Sequence, residues 1–63
     1  MTRNGFREYV RETIGANDSE TEKIYEYYLK HRLLFFDVNT GVRVKHGVFL
    51  DKETLESALD VVT

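Results

Sequence analysis

The apolar positions change their spacing along the chain, and each change marks an element. Phe6, Tyr9, Val10, Thr13 and Ile14 recur at i, i+3, i+4, i+7 and i+8, the interval that stacks side chains on one face of a helix. A helix over residues 4–14 is predicted, with Asn4 capping its first turn and Gly15 in the left-handed conformation just past its end. Ala16-Asn17-Asp18 then reads as a connection. Ser19 and Glu22 have the spacing of a capping box, so a second helix is expected over 19–32. Its apolar stripe is Ile24, Tyr27, Tyr28 and His31, with Tyr25 and Leu29 to one side.

From Leu33 the period falls to two. Residues 34–38, Leu-Phe-Phe-Asp-Val, suit a pleated strand. Asn39-Thr40-Gly41 has the composition of a three-residue hairpin loop in which Gly41 supplies a positive φ. The return strand is 42–46. Pairing Val38 with Val42 sets Phe36 opposite Val44, Asp37 opposite Arg43 and His46 opposite Leu34, giving one apolar face and one face with an ion pair. Gly47 interrupts the ladder, Asp51 is an N-cap, and Leu55, Ala58, Leu59 and Val62 return to helical spacing over 52–62. The expected architecture is α+β: two N-terminal helices, a β-hairpin (34–46) and a C-terminal helix around one small core, a single domain spanning residues 1–63.

Length changes the energetic picture more than the topology. A chain of 63 residues has room for one core, and buries only about 60% of the surface its unfolded form exposes. Stability is expected to be marginal. Without cysteine there is neither a disulfide framework nor a thiolate metal site, which leaves pairing with itself or with a partner as the remaining staple. No apolar run approaches the roughly 20 residues of a membrane helix, and residues 1–4 lack the apolar stretch of a signal peptide, so a cytoplasmic protein that does not enter membranes is expected. Nine basic and eleven acidic side chains give a net charge of −2, which does not draw the chain as a whole toward phosphate backbones. Through Arg32 six basic residues balance six acidic ones; from Leu33 onward three face five.

Candidate chemistry is sparse. No serine sits in a nucleophile elbow, no glycine-rich loop opens a helix, and the carboxylates are spread along helical faces, so an enzyme is not expected and no cofactor is implied. His31 and His46 are the only histidines; with no third ligand at a known spacing they specify no metal, and both are expected to pack against the core. Arg3, Arg7 and Arg11 recur every fourth residue as a basic ridge on the first helix, flanked by Glu8 and Glu12, which would neutralise it as a solvated face. Tyr25, Tyr27 and Tyr28 point in three directions around the second helix, more than one core contact covers. Tyr25 and Leu29 are therefore expected to form an exposed apolar strip, and Leu33, Phe35, Arg43 and Lys45 a basic, aromatic face on the hairpin. From these, Tyr25, Leu29, Phe35, Arg43 and Lys45 are the expected protein-binding residues, serving a protein partner or a second copy in a homo-oligomer.

Two resemblances bear on function. The layout of residues 6–50, two helices joined by a short turn and followed by a hairpin, resembles minimal winged-helix proteins such as phage excisionases. That resemblance implies DNA binding, through Arg3, Arg7, Arg11, Lys23, Arg43 and Lys45. Glu20 and Glu22 open the helix that would read the groove, which sets charge against this alternative. The segment Val44-Lys45-His46-Gly47-Val48-Phe49-Leu50-Asp51 resembles a stretch found in small uncharacterised proteins of tailed phages and prophages, which implies an accessory protein that acts by occupying a partner. Protein binding is the reading the sequence favours, with DNA binding as its alternative.

Overall fold

A computed structural model describes the whole chain, Met1–Thr63. Its elements are α1 (Arg3–Ile14), α2 (Asp18–Lys30), β1 (Leu34–Asp37), β2 (Gly41–Val44) and α3 (Lys52–Val62), an α+β arrangement in the expected order. The helix boundaries follow from their caps. Thr2, not Asn4, caps α1, its hydroxyl accepting from the Gly5 amide at 2.9 Å, while Gly15 ends the helix at φ 67°. The capping box of α2 lies two residues ahead of the expected one: Asn17 accepts from the Glu20 amide at 2.8 Å and Glu20 accepts from the Asn17 amide at 3.0 Å. Asn17 and Glu20 have the same spacing as Ser19 and Glu22, and asparagine ranks at least level with serine as an N-cap. The helix therefore begins as early as such a cap allows.

The start of α2 sets which residues face inward. Thr21, Ile24, Tyr25 and Tyr28 are buried, whereas Tyr27 is half-buried and His31 is an exposed C-cap. The expected stripe through Tyr27 and His31 is thus rotated toward Tyr25. α2 packs against both α1 and α3, so its buried arc is wider than that of a helix with one neighbour. Tyr25, expected to be exposed, is only 2% exposed, its ring 5.8 Å from that of Phe6 on α1. Leu29 is half-buried against the same core, so the two form no exposed strip.

The chain leaves α2 through a tight left-handed step. The Arg32 amide donates to Leu29 and the Leu33 amide to Tyr28, with Arg32 at φ 58°. These two bonds are those of a Schellman motif, with arginine in the place that glycine commonly takes. β1 and β2 pair with Leu34 opposite Val44, Phe35 opposite Arg43, Phe36 opposite Val42 and Asp37 opposite Gly41. The register differs from the expected one by two residues. The Asp37 carboxylate accepts from the amides of Asn39 at 2.8 Å and Thr40 at 3.2 Å, closing the loop at Asp37 and leaving residues 38–40 outside the ladder. A slip of two keeps every side chain on its expected face, but it places Arg43 opposite Phe35 and removes the cross-strand pair with Asp37. His46, expected on the buried side, is exposed.

The core gathers Phe6 and Val10 of α1, Ala16 of the α1–α2 connection, Ile24, Tyr25 and Tyr28 of α2, Leu34, Val42, and Leu55 and Ala58 of α3. α3 matches its expected stripe, and Asp51 caps it by accepting from the Thr54 amide at 3.2 Å. Tyr9, on the α1 stripe by spacing, is exposed and ties α1 to the segment before α3 through its hydroxyl, which donates to the Leu50 carbonyl. No helix is long and apolar enough to cross a membrane.

Candidate functional site

Two surfaces carry most of the sequence-derived candidates, and a third adjoins them. On the first, the arginine ridge of α1 faces α2. Arg7 pairs with Glu22 at 2.6 Å and Arg11 with Asp18 at 3.0 Å, so the partners are carboxylates of α2 and not Glu8 and Glu12. Arg3 and Arg7 also place their guanidinium carbons 5.5 and 5.6 Å from the centroid of the Tyr25 ring, within cation–π reach. A polar groove of about 340 Å³ runs between the two helices, lined by Arg7, Arg11 and three carboxylates. A phosphate approaching this ridge would have to displace Glu22 and Asp18. The ridge links α1 to α2, with roughly 0.2–1 kcal/mol from the partly exposed Arg7–Glu22 pair and little from the exposed Arg11–Asp18 pair.

The second surface is the hairpin. Lys45 donates its amide to the Leu33 carbonyl, so the ladder continues past β1 and β2 and sets Leu33, Phe35, Arg43 and Lys45 on one face. The structure therefore brings Phe35, Arg43 and Lys45 together, as the sequence indicates. The Arg43 guanidinium lies 5.6 Å from the Phe35 ring centroid and Lys45 is exposed. The opposite face is less fully covered than its pattern suggests. Leu34 and Val42 are buried, but Phe36 is 71% exposed and Val38 is fully exposed beyond the end of the ladder. The backbone of Met1 bonds both ways with Val42, along the outer edge of β2. Phe36, a non-hydrogen-bonded partner of Val42, turns its amide and carbonyl to the open side of β1.

The third surface lies between α2 and α3 and was not among the sequence-derived candidates. Tyr27, Tyr28, Leu33, Ala58 and Val61, with Thr54 and Ser57, line an apolar groove of about 190 Å³. Beside it, sharing Tyr27 and Val61, is a recess of about 390 Å³ bordered by Lys23, Glu26, Lys30 and His31. The His31 ring packs on Tyr27 with 4.4 Å between centroids. The Tyr28 hydroxyl is buried with no partner in the protein. Burial, followed by the neighbouring Tyr27 and Asp51, pushes its pKa above the ordinary tyrosine value, so Tyr28 is held neutral. Leu33 belongs both to this groove and to the hairpin face, which makes one continuous surface with an apolar floor and a border of lysine and arginine interrupted by Glu26.

The sequence carried faint signals for this surface. Val61 stands outside the α3 stripe, with 66% of its surface exposed, and Lys23 and Lys30 lie two turns apart on one side of α2. What the sequence could not give was the angle at which α3 crosses α2, which opens the groove. His31 and His46 are both exposed, and no three histidine, aspartate or glutamate side chains converge. Compared with known proteins, the chain matches no family model, no curated protein and no solved structure.

Proposed function

We propose that the chain is a non-enzymatic protein-binding module whose contact surface is the hairpin and the adjoining α2–α3 groove. The observation that carries this reading is the exposure of Phe36 and Val38 on a hairpin whose other face displays Phe35, Arg43 and Lys45. Exposed aromatic and aliphatic groups on a hairpin that also displays arginine have the composition of an interface centre. Self-association and a foreign partner both fall within the reading. So does the accessory role implied by residues 44–51, in which the module acts by occupying another protein.

The winged-helix alternative rests on the same hairpin, with Arg43 and Lys45 on the wing. Against it, Arg7 and Arg11 are engaged by carboxylates, and Glu20 and Glu22 stand at the start of α2. Apolar Phe36 and Val38 also offer little to a phosphate backbone. The test is affinity capture by the parent and by a Phe36→Ser, Val38→Ser double variant, each with and without nuclease. The expected result is a partner that survives nuclease and is lost with the double variant, whose circular-dichroism spectrum matches the parent's. Recovery that vanishes with nuclease would transfer the function to nucleic acid.

A further inference from the structure

Charge is segregated in this molecule in a way its net value hides. Between Lys23 and His46 there are five lysines and arginines and two carboxylates; the two flanking stretches together hold four basic and nine acidic residues. The ion pairs divide along the same line. The paired cations are Arg7, Arg11 and Lys52, all in the flanks, whereas Lys23, Lys30, Arg32, Arg43 and Lys45 have no carboxylate within ion-pair distance. Lys23 and Lys30 border the recess between α2 and α3; Arg43 and Lys45 stand on the hairpin face joined to it through Leu33. Unpaired cations thus flank an apolar groove with room for one medium-sized side chain, and Glu26 is the one carboxylate lining the adjoining recess.

We infer that the α2–α3 groove receives an acidic segment of a partner protein, with one aliphatic or aromatic side chain seated between Tyr27, Leu33, Ala58 and Val61 and its carboxylates facing Lys23 and Lys30. This rests on the protein-binding reading above and names the partner's chemistry. Two features of the molecule choose this occupant. A second copy meeting the same surface face to face would bring the two sets of cations together, and like charges across an interface oppose it. A nucleic acid would match the charge but would leave the apolar floor without a counterpart, whereas an acidic segment with an apolar anchor matches both.

The probe is a labelled dodecapeptide of glutamates with a central Leu-Phe pair, titrated by fluorescence anisotropy and by amide chemical shifts of the full chain. Saturable binding is expected, with shifts at Tyr27, Ala58 and Val61. It should weaken about tenfold or more in a Lys23→Glu, Lys30→Glu double variant, and similarly when Ser-Ser replaces Leu-Phe, because both the charges and the anchor are required. Val61→Asp, at an exposed position that spares the core, should have the same effect. Absence of binding, or binding that ignores the lysine variant, overturns the inference. So does a parent that sediments as a dimer dissociated by Val61→Asp, which would make a second copy the occupant, and so does tighter binding of an oligothymidylate of equal charge. A captured protein retained by the Lys23→Glu, Lys30→Glu variant but lost with Phe36→Ser, Val38→Ser would refute the groove alone. Failure of the parent to hold any protein would refute the module and the groove together.

Discussion

Position 41 carries two constraints at once. Its φ of 97° lies where side chains other than glycine are strained, and a Cβ there would stand 3.2 Å from the Cα of Thr2 and 3.3 Å from the Met1 carbonyl oxygen. Gly41→Val should therefore destabilise the fold by about 1–3 kcal/mol from backbone strain alone, with crowding of the first residues added to it. The midpoint of a urea unfolding curve measures this, and an unchanged midpoint would mean that the turn takes another form. Position 25 separates size from polarity. Its hydroxyl is buried without a protein partner while its ring packs on Phe6 and beneath Arg3 and Arg7. Tyr25→Phe removes only the unsatisfied group and should be neutral or mildly stabilising. Tyr25→Ala should cost about 3–5 kcal/mol, the range for deleting a large buried aromatic, and that would unfold much of a marginal domain. Equal stability of the two variants would place Tyr25 outside the core.

Each element was legible to the extent that its own residues define it. α3 needed only its stripe and Asp51, both local, and it matches its expectation in cap, extent and buried face. α2 was legible as a helix but not in rotation, because the choice between Asn17 and Ser19 as cap, and between Tyr25 and Tyr27 as the inward ring, depends on α1 and α3 both lying against it. The hairpin showed its faces but not its register, since side-chain alternation is unchanged by a slip of two and only the Asp37 carboxylate, bonding two loop amides, fixes the pairing. The cap assignment is open to direct test. Asn17→Ala should cost about 1 kcal/mol, and Ser19→Ala, inside the first turn and exposed, much less. The reverse order in thermal melts would return the helix start to Ser19.

On the scale of the whole molecule, two carboxylates couple stability to acid. Hydrogen bonds from the Asn39 and Thr40 amides hold Asp37 below its ordinary pKa, and hydrogen bonding from Thr54 does the same for Asp51. Each group is more acidic in the folded chain than in the unfolded one, so on acidification the unfolded state takes up protons first. Their contribution is present above about pH 4, the unfolded aspartate range, and is lost as pH falls through the lowered native values. Unfolding midpoints should decline over that window and do so less in an Asp37→Asn, Asp51→Asn double variant. A parallel decline in both proteins would assign the acid sensitivity to other groups. The candidate site belongs to this scale as well: Phe35, Arg43 and Lys45 could be read from strand alternation, whereas the groove exists only once α3 crosses α2, and no local spacing encodes that angle.

The uneven placement of charge has a consequence in time as well as in affinity. With unpaired cations gathered on α2 and the hairpin and carboxylates in excess in the flanking stretches, an electric dipole is expected although the net charge is only −2. An anionic partner diffusing within a Debye length, about 10 Å at moderate salt, is turned toward the positive side before any contact forms. Added salt should therefore slow association with the acidic peptide steeply and leave its departure, set by the apolar groove, nearly unchanged. Stopped-flow traces at increasing sodium chloride would show this as a falling on-rate with a level off-rate. An on-rate indifferent to salt would mean that the dipole does not guide the encounter.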